Sequence, residues 1–324
     1  MKKLINKVSN ELKDELLLYD SCLKDSLDSD VKLINTVIKY IMKIKGKQFR
    51  PILCILASKL IGEPNKNTYI SASTVEMLHV ATLLHDDVVD DANIRRGWPT
   101  TNSIWRSKIS ILIGDYMFSR SLNNIVKLNS LECLNILGNV SDRLSKGEIF
   151  QIENSINKNM SEENYFKMIS DKTASLISAS CKLGILSVKD CDAKNNLSRF
   201  GECLGIAYQL KDDLFDVIGN IKETGKPSNL DIKKNMLTLP YIHVINSMPQ
   251  QNRKKIISKI KYHLKKKNLR DLKNIILESG GVEYTNQKII EYSNKAKKEL
   301  SLFERSKYKD LLIDMLEFNL SRHF

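Results

Sequence analysis

Two short segments carry the most concentrated chemistry in this sequence: Asp86-Asp87-Val88-Val89-Asp90 and Asp212-Asp213-Leu214-Phe215-Asp216. Both read Asp-Asp-x-x-Asp. On a helix, the first and last carboxylates of such a motif project from one face, about 6 Å apart along the axis. Three carboxylates held this close repel one another and raise one another's pKa unless a cation neutralises them. Magnesium suits that role, being hard, oxygen-preferring and commonly shared between one or two carboxylates and a substrate's phosphates. With Asp at 21 of 324 positions, chance supplies about 0.1 such matches in a chain of this length, so two matches are a signal. Apolar residues lead into both motifs, Ala81, Leu83 and Leu84 before the first and Ile206, Ala207 and Leu210 before the second. That pattern reads as the ends of buried helices rather than as solvated acidic tips.

Basic groups decide what such a metal site would hold. Arg95 and Arg96 follow the first motif, and Lys47 and Arg50 stand at i, i+3 within Gly46-Lys47-Gln48-Phe49-Arg50-Pro51. Lys172-Thr173 and Gly225-Lys226 come later. The planar fork of arginine matches phosphate oxygens, and its charge is not lost by deprotonation. Two carboxylate clusters and this set of cations suggest two separately held polyanionic substrates.

The elements that must position these residues read as helices. Apolar residues recur at helical spacing through 30–45, 50–61, 68–91, 102–127, 130–155, 162–186 and 195–219, and after Pro240 through 252–266, 269–278 and 283–318. Thr100 to Lys226 contains no proline, and no alternating β-branched run is flanked by hairpin turns. Breakers fall at Gly62-Glu63-Pro64, Gly97-Trp98-Pro99, Gly225-Lys226-Pro227 and Gly280-Gly281. Ser161, followed by Glu162 and Glu163, has the form of an N-cap with acidic residues in the first turn. The expected fold is all-α, a bundle of antiparallel helices around an apolar interior. No linker or composition shift divides the chain, so one domain spanning 1–324 is expected.

Composition narrows the class further. The six cysteines form no C-x-x-C pair and have no His at zinc-ligand spacing, which points to packing residues in a reducing cytoplasm. Lys7, Glu11, Lys13, Asp14 and Glu15 interrupt the N-terminal stretch, so it does not read as a secretory signal. No apolar run is long enough to span a bilayer. The net charge of +13 raises a nucleic-acid hypothesis, but the aromatics are spaced as core and the acidic motifs would repel a polynucleotide. The denser lysines from Lys254 to Lys267 read as a solvated helix face.

The stretch Glu76–Asp90 with Arg95-Arg96-Gly97 resembles the first aspartate-rich motif of the trans-isoprenyl (polyprenyl) diphosphate synthases, and Tyr208–Asp216 resembles the second. Gly46–Pro51, Lys172-Thr173, Gly225-Lys226 and Thr238-Leu239-Pro240 fall in that family's order and spacing, over residues 30–318. The stretch Asp30–Asn35 is similar to the family's long-chain bacterial branch. The resemblance implies that Asp86, Asp87, Asp90, Asp212, Asp213 and Asp216 hold two to three Mg2+ ions on the diphosphate of an allylic substrate. Arg95, Lys172 and Lys226 would contact that diphosphate, with Thr173 and Gln209 lining the site, while Lys47, Arg50, His79 and Arg96 would bind isopentenyl diphosphate. It also implies a homodimer and a quinone side-chain product. In the family, an aromatic residue about one turn before the first motif acts as a floor for the growing chain. Here Ala81 and Thr82 are small, so a long product near C40 is expected, grown from a primer such as farnesyl diphosphate. A peripheral membrane contact would suit release of so apolar a product, although no amphipathic anchor stands out.

Three positions depart from the pattern: Gln48 and Met236 replace basic residues, and Asp91 stands where Glu is commoner. Rival readings are a shorter-chain, geranylgeranyl-type synthase, a class I terpene cyclase, and a basic helical nucleic-acid binder. The intact second Asp-Asp-x-x-Asp discriminates against the cyclase.

Overall fold

The computed structural model describes residues 2–44, 46–157, 161–218, 237–266 and 269–321, and almost all of them are helical. In chain order the helices are α1 (Lys2–Glu11), α2 (Lys13–Leu27), α3 (Lys32–Lys43), α4 (Phe49–Lys59) and α5 (Lys66–Val89). A two-residue ladder follows, β1 (Ile94–Arg95) with β2 (Trp98–Pro99). Next come α6 (Thr101–Val126), α7 (Leu131–Asn157), α8 (Glu162–Ile169), a π-helical turn (Ser170–Ala174), α9 (Ser175–Leu186) and α10 (Ala193–Ile218). The series closes with α11 (Leu239–Ser247), α12 (Gln250–Lys265), α13 (Leu269–Glu278), α14 (Gly281–Leu300) and α15 (Lys307–Ser321). The all-α expectation holds.

The chain packs as two compact units, each assembled from three stretches. The first comprises Met1–Ser141, Leu176–Arg199 and Leu302–Leu312, and the second Asp142–Ser175, Phe200–Ser301 and Ile313–Phe324. In the first, Pro51 to Ser58 of α4 are all buried, as expected for a helix apolar on every side. In the second, Tyr165, Leu210, Leu214, Tyr241, Ile260 and Leu272 belong to a common core.

Several boundaries differ from the sequence reading, each for a local reason. The run 162–186 is not one α-helix. It begins as expected, with Ser161 accepting the Asn164 amide at 3.1 Å, but passes through the π turn, whose extra residue resets the face that follows. The run 283–318 breaks after Leu300, and the Ser306 hydroxyl accepts the Lys309 amide at 3.2 Å to restart α15. Arg95 to Trp98 form a hairpin rather than a plain break. α1, α2 and α11 were not singled out by periodicity. No described helix is long and apolar enough to cross a membrane.

Candidate active site

In the first unit, Asn65 starts α5 with a capping box, its side chain accepting the Asn67 amide and its own amide donating to Thr68 Oγ1. The helix ends where the first motif ends. Asp90 is its C-cap, and Asp91 follows at φ 49°, a left-handed conformation that Asp tolerates. The motif therefore sits at the negative end of the helix dipole, which adds to the demand for a cation. Its three carboxylates are not equivalent. Asp87 is buried and accepts Arg95 Nε at 2.7 Å, whereas Asp86 is half-buried and Asp90 exposed. Burial raises the pKa of Asp87, and the bond from Arg95 opposes the rise.

Arg95 and Arg96 owe their placement to the hairpin. Ile94 pairs with Pro99 and Arg95 with Trp98, so Arg96 and Gly97 are the central residues, with φ 54° and 80°. Positive φ at both is the requirement of a type I′ turn. The Arg96 guanidinium then lies against Gly46 so closely that any Cβ there would overlap it, and Arg96 Nη1 donates to Ile44 O at 3.4 Å. A side chain at position 46 would therefore displace the Arg96 guanidinium from its present place. His79 lies one helical stripe above Asp86. Burial first, then the charges of Arg50, Arg96 and Arg95, push its pKa well below the ordinary histidine value, so it is neutral at pH 7. Arg50 is half-buried and Lys47 exposed.

A cavity of about 90 Å³ opens beside these groups. Met77, Val80, Leu83 and Leu84 of α5 form an apolar wall, and His79, Asp87, Arg95 and Arg96 supply polar groups. Ala81 and Thr82 do not line it. Ala81 is buried, and the Thr82 hydroxyl donates to His79 O at 2.8 Å.

In the second unit, the second motif occupies the last turns of α10. The same division recurs there. Asp213 is buried and receives two donors, Tyr165 Oη at 2.6 Å and Gln209 Nε2 at 2.7 Å, while Asp212 and Asp216 are half-buried. Thr173 Oγ1 donates to Gln209 Oε1 at 2.8 Å. Three residues singled out from sequence, Thr173, Gln209 and Asp213, thus form one hydrogen-bonded line. Lys172 and Thr173 lie in the π turn, and Lys172 Nζ is 2.6 Å from Glu148 Oε1 and 3.2 Å from Gln151 Oε1.

Sequence reasoning missed the groups that hold the π turn. Arg143 Nε donates to Asp171 Oδ1 at 2.7 Å, and Nη2 donates to Glu202 Oε1 at 2.8 Å and Ser170 Oγ at 2.7 Å. Ser170 also donates to Glu202. α10 approaches the turn through Gly205, where a Cβ would lie 2.5 Å from Ala174 Cα. Tyr165, Glu148 and Gln151 were likewise missed. The i, i+3 spacing of Glu148 and Gln151 is the one signal the sequence carried for them. Gly225, Lys226 and Met236 lie outside the described residues.

The donors available for a metal are carboxylate oxygens at i, i+4 spacing on each motif. Among the described residues no group of three or more Asp, Glu, His or Cys side chains is placed to hold a metal ion by itself. A magnesium ion on either motif would have to take its remaining ligands from water and substrate phosphates.

An all-α fold with two aspartate motifs and an arginine-lined cavity is the layout of an isoprenoid diphosphate enzyme. The family model for polyprenyl synthetase matches residues 31–277, and the chain belongs to that family. It is 30% identical over 324 residues to octaprenyl diphosphate synthase of Escherichia coli (strain K12), covering 98% of this chain and 99% of that protein. Among solved structures, a decaprenyl diphosphate synthase from Rhodobacter capsulatus matches with a TM-score of 0.89 and 29% identity over 98% of both chains. A polyprenyl synthase from Caulobacter crescentus CB15, complexed with calcium and isoprenyl diphosphate, matches with 0.88 and 29% identity, again over 98% of both.

Proposed function

We propose that this chain is a trans-polyprenyl diphosphate synthase that extends an allylic diphosphate, farnesyl diphosphate being the favoured primer, by successive condensations with isopentenyl diphosphate to an octaprenyl, C40, product for quinone side chains. The observation that carries this reading is the repeated division of the two motifs. In each, the middle aspartate is buried and accepts protein hydrogen bonds, and the first and last are less buried. Asp86 with Asp90, and Asp212 with Asp216, would hold the magnesium ions, while Asp87 and Asp213 set the orientation of the helix ends. Magnesium, when bound, neutralises the diphosphate so that it can depart as a leaving group and expose an allylic cation.

The chain's own residues do the rest. Arg95 and Lys172, with Lys226, bind the allylic diphosphate. Lys47, Arg50 and Arg96 bind isopentenyl diphosphate, and neutral His79 offers a hydrogen bond without adding charge. The apolar cavity wall keeps water from the carbocation. Departed diphosphate is the proton acceptor in the final deprotonation, so no enzymic base is needed. The small side chains of Ala81 and Thr82 favour the long product over a geranylgeranyl one on the resemblance alone, since neither lines the cavity beside His79.

Homodimerisation is supported by exposed apolar residues on α6 after its kink at Arg106, namely Ile111, Leu112, Leu122 and Val126, and by Leu131 at the start of α7, which is 80% exposed. A monomer would leave this surface in water. A reducing cytoplasm suits the six free thiols. The metal assignment is tested by Asp86→Asn, Asp87→Asn, Asp212→Asn and Asp213→Asn with magnesium titrations of turnover. Asp86→Asn and Asp212→Asn should raise the magnesium requirement, and Asp87→Asn and Asp213→Asn should lower the rate at saturating metal. Identical behaviour of all four would overturn the division of roles.

A further inference from the structure

The positive charge of this chain is not evenly distributed. Between Asp231 and Asp271 the sequence has eleven Lys and Arg and no Asp or Glu, which leaves 40 basic against 38 acidic residues in the rest of the chain. Nearly the whole excess therefore resides in residues 232–270. The structure places much of it on one element, α12. The inner face of that helix is committed to the core of the second unit through Ile260, with Ile256 packed beside it. On its exposed side are Arg253, Lys254, Lys255 and Lys259, with Lys266 at its end. Among the described residues, none of these five is ion-paired with a carboxylate; the Arg253 guanidinium donates only to the Met248 and Asn246 carbonyls. Tyr262, 59% exposed, lies among the lysines.

This combination has a physical partner. Clustered lysines with no carboxylate at ion-pair distance among the described residues attract an anionic surface, and an exposed tyrosine ring is suited to the headgroup region of a bilayer. The apolar face is already used by the core, so the helix would dock on a membrane by charge rather than insert into it. A polynucleotide fits less well, because the helix offers a convex surface with a single exposed aromatic instead of a groove with stacking platforms. We propose that the outward face of α12 docks the enzyme on an anionic phospholipid surface. This rests on the proposed function, in which the product is a diphosphate on a long apolar chain that leaves the protein for a bilayer.

The test is co-sedimentation of the full chain with vesicles of phosphatidylglycerol and phosphatidylcholine, against phosphatidylcholine alone, at low and high salt. Binding is expected only to the anionic vesicles and should fall steeply with salt. Each lysine near such a surface contributes about five-fold in partitioning, so Lys254→Gln/Lys255→Gln/Lys259→Gln should lose about 100-fold. A control with the same net charge, Lys13→Gln/Lys108→Gln/Lys189→Gln, should lose less than about five-fold on the same basis. Equal losses in the two variants, or no preference for anionic vesicles, would overturn the proposal. So would a triple variant at 254, 255 and 259 that loses affinity for single-stranded RNA while keeping its vesicle binding. Product synthesis from soluble substrates in detergent should be the same for wild type and both variants. Its absence in wild type would count against the enzymatic reading, whereas vesicle binding without substrates reports on docking alone.

Discussion

Replacing Tyr165 by Phe removes one oxygen and leaves the ring in place. Tyr165 is fully buried, and its hydroxyl donates to Asp213 Oδ2 at 2.6 Å. Asp213 is 6% exposed, so water cannot readily replace the lost donor. A hydrogen bond to a charged group contributes about 1.5–3 kcal/mol, and an orphaned buried acceptor costs a similar amount. Tyr165→Phe should therefore lose about 2 kcal/mol, a fall in Tm of about 3 °C for a chain of this size. A second donor to Asp213, Gln209 Nε2, is itself held by Thr173. Gln209→Met removes that donor and should cost a similar amount alone. Because both act on one carboxylate, the double variant should depart from additivity by more than about 0.5 kcal/mol. Thermal melts give the stability cycle, and steady-state kinetics with the allylic substrate give the parallel one. Singles that change neither Tm nor kcat, or a strictly additive double, would refute the idea that the pair positions Asp213.

Four further outcomes follow from the same structure. Ala81→Phe should shift products to short chains, and an unchanged product ladder by radio-chromatography would sink the chain-length assignment. Gly205→Ala forces a Cβ against the Ala174 backbone and should cost about 1–3 kcal/mol in a denaturant melt; a neutral effect would mean that α10 yields easily. Arg143→Ala should lower kcat with a modest stability loss of about 1 kcal/mol, discounted because the side chain is about one-third exposed, and Arg143→Lys should restore part of the rate. His79 has its pKa depressed by burial and by arginines, so the unfolded chain binds more protons at this site just below the ordinary histidine pKa. Wild type should lose stability relative to His79→Gln as pH falls through that window, and parallel melting curves against pH would contradict the neutral assignment.

The aspartate motifs were legible because they combine a rare spacing with an apolar lead-in, and helices of more than twenty residues such as α5 and α10 imprint their period over many turns. What escaped the sequence was set by tertiary contacts. The π turn at Ser170–Ala174 has no periodic signature of its own, and depends on Arg143 and Glu202, which are distant in sequence. The hairpin at Arg95–Trp98 is too short for an alternating pattern, although Gly97 adopts positive φ at little cost. The unequal status of the three aspartates in each motif could not be read from identical letters, since it depends on Arg95, Tyr165 and Gln209. The lysine-rich stretch reads by itself as a solvated face, and its acid-free extent emerges only when its neighbours are counted as well.

The most direct measurement is the size of the product made by the purified protein from farnesyl diphosphate, labelled isopentenyl diphosphate and magnesium. Dephosphorylated alcohols can be resolved by chain length with time. Successive five-carbon additions that converge on C40, and that stop when magnesium is chelated, are the predicted result. No incorporation with any allylic primer would contradict the account, as would a cyclic hydrocarbon product formed without consuming isopentenyl diphosphate.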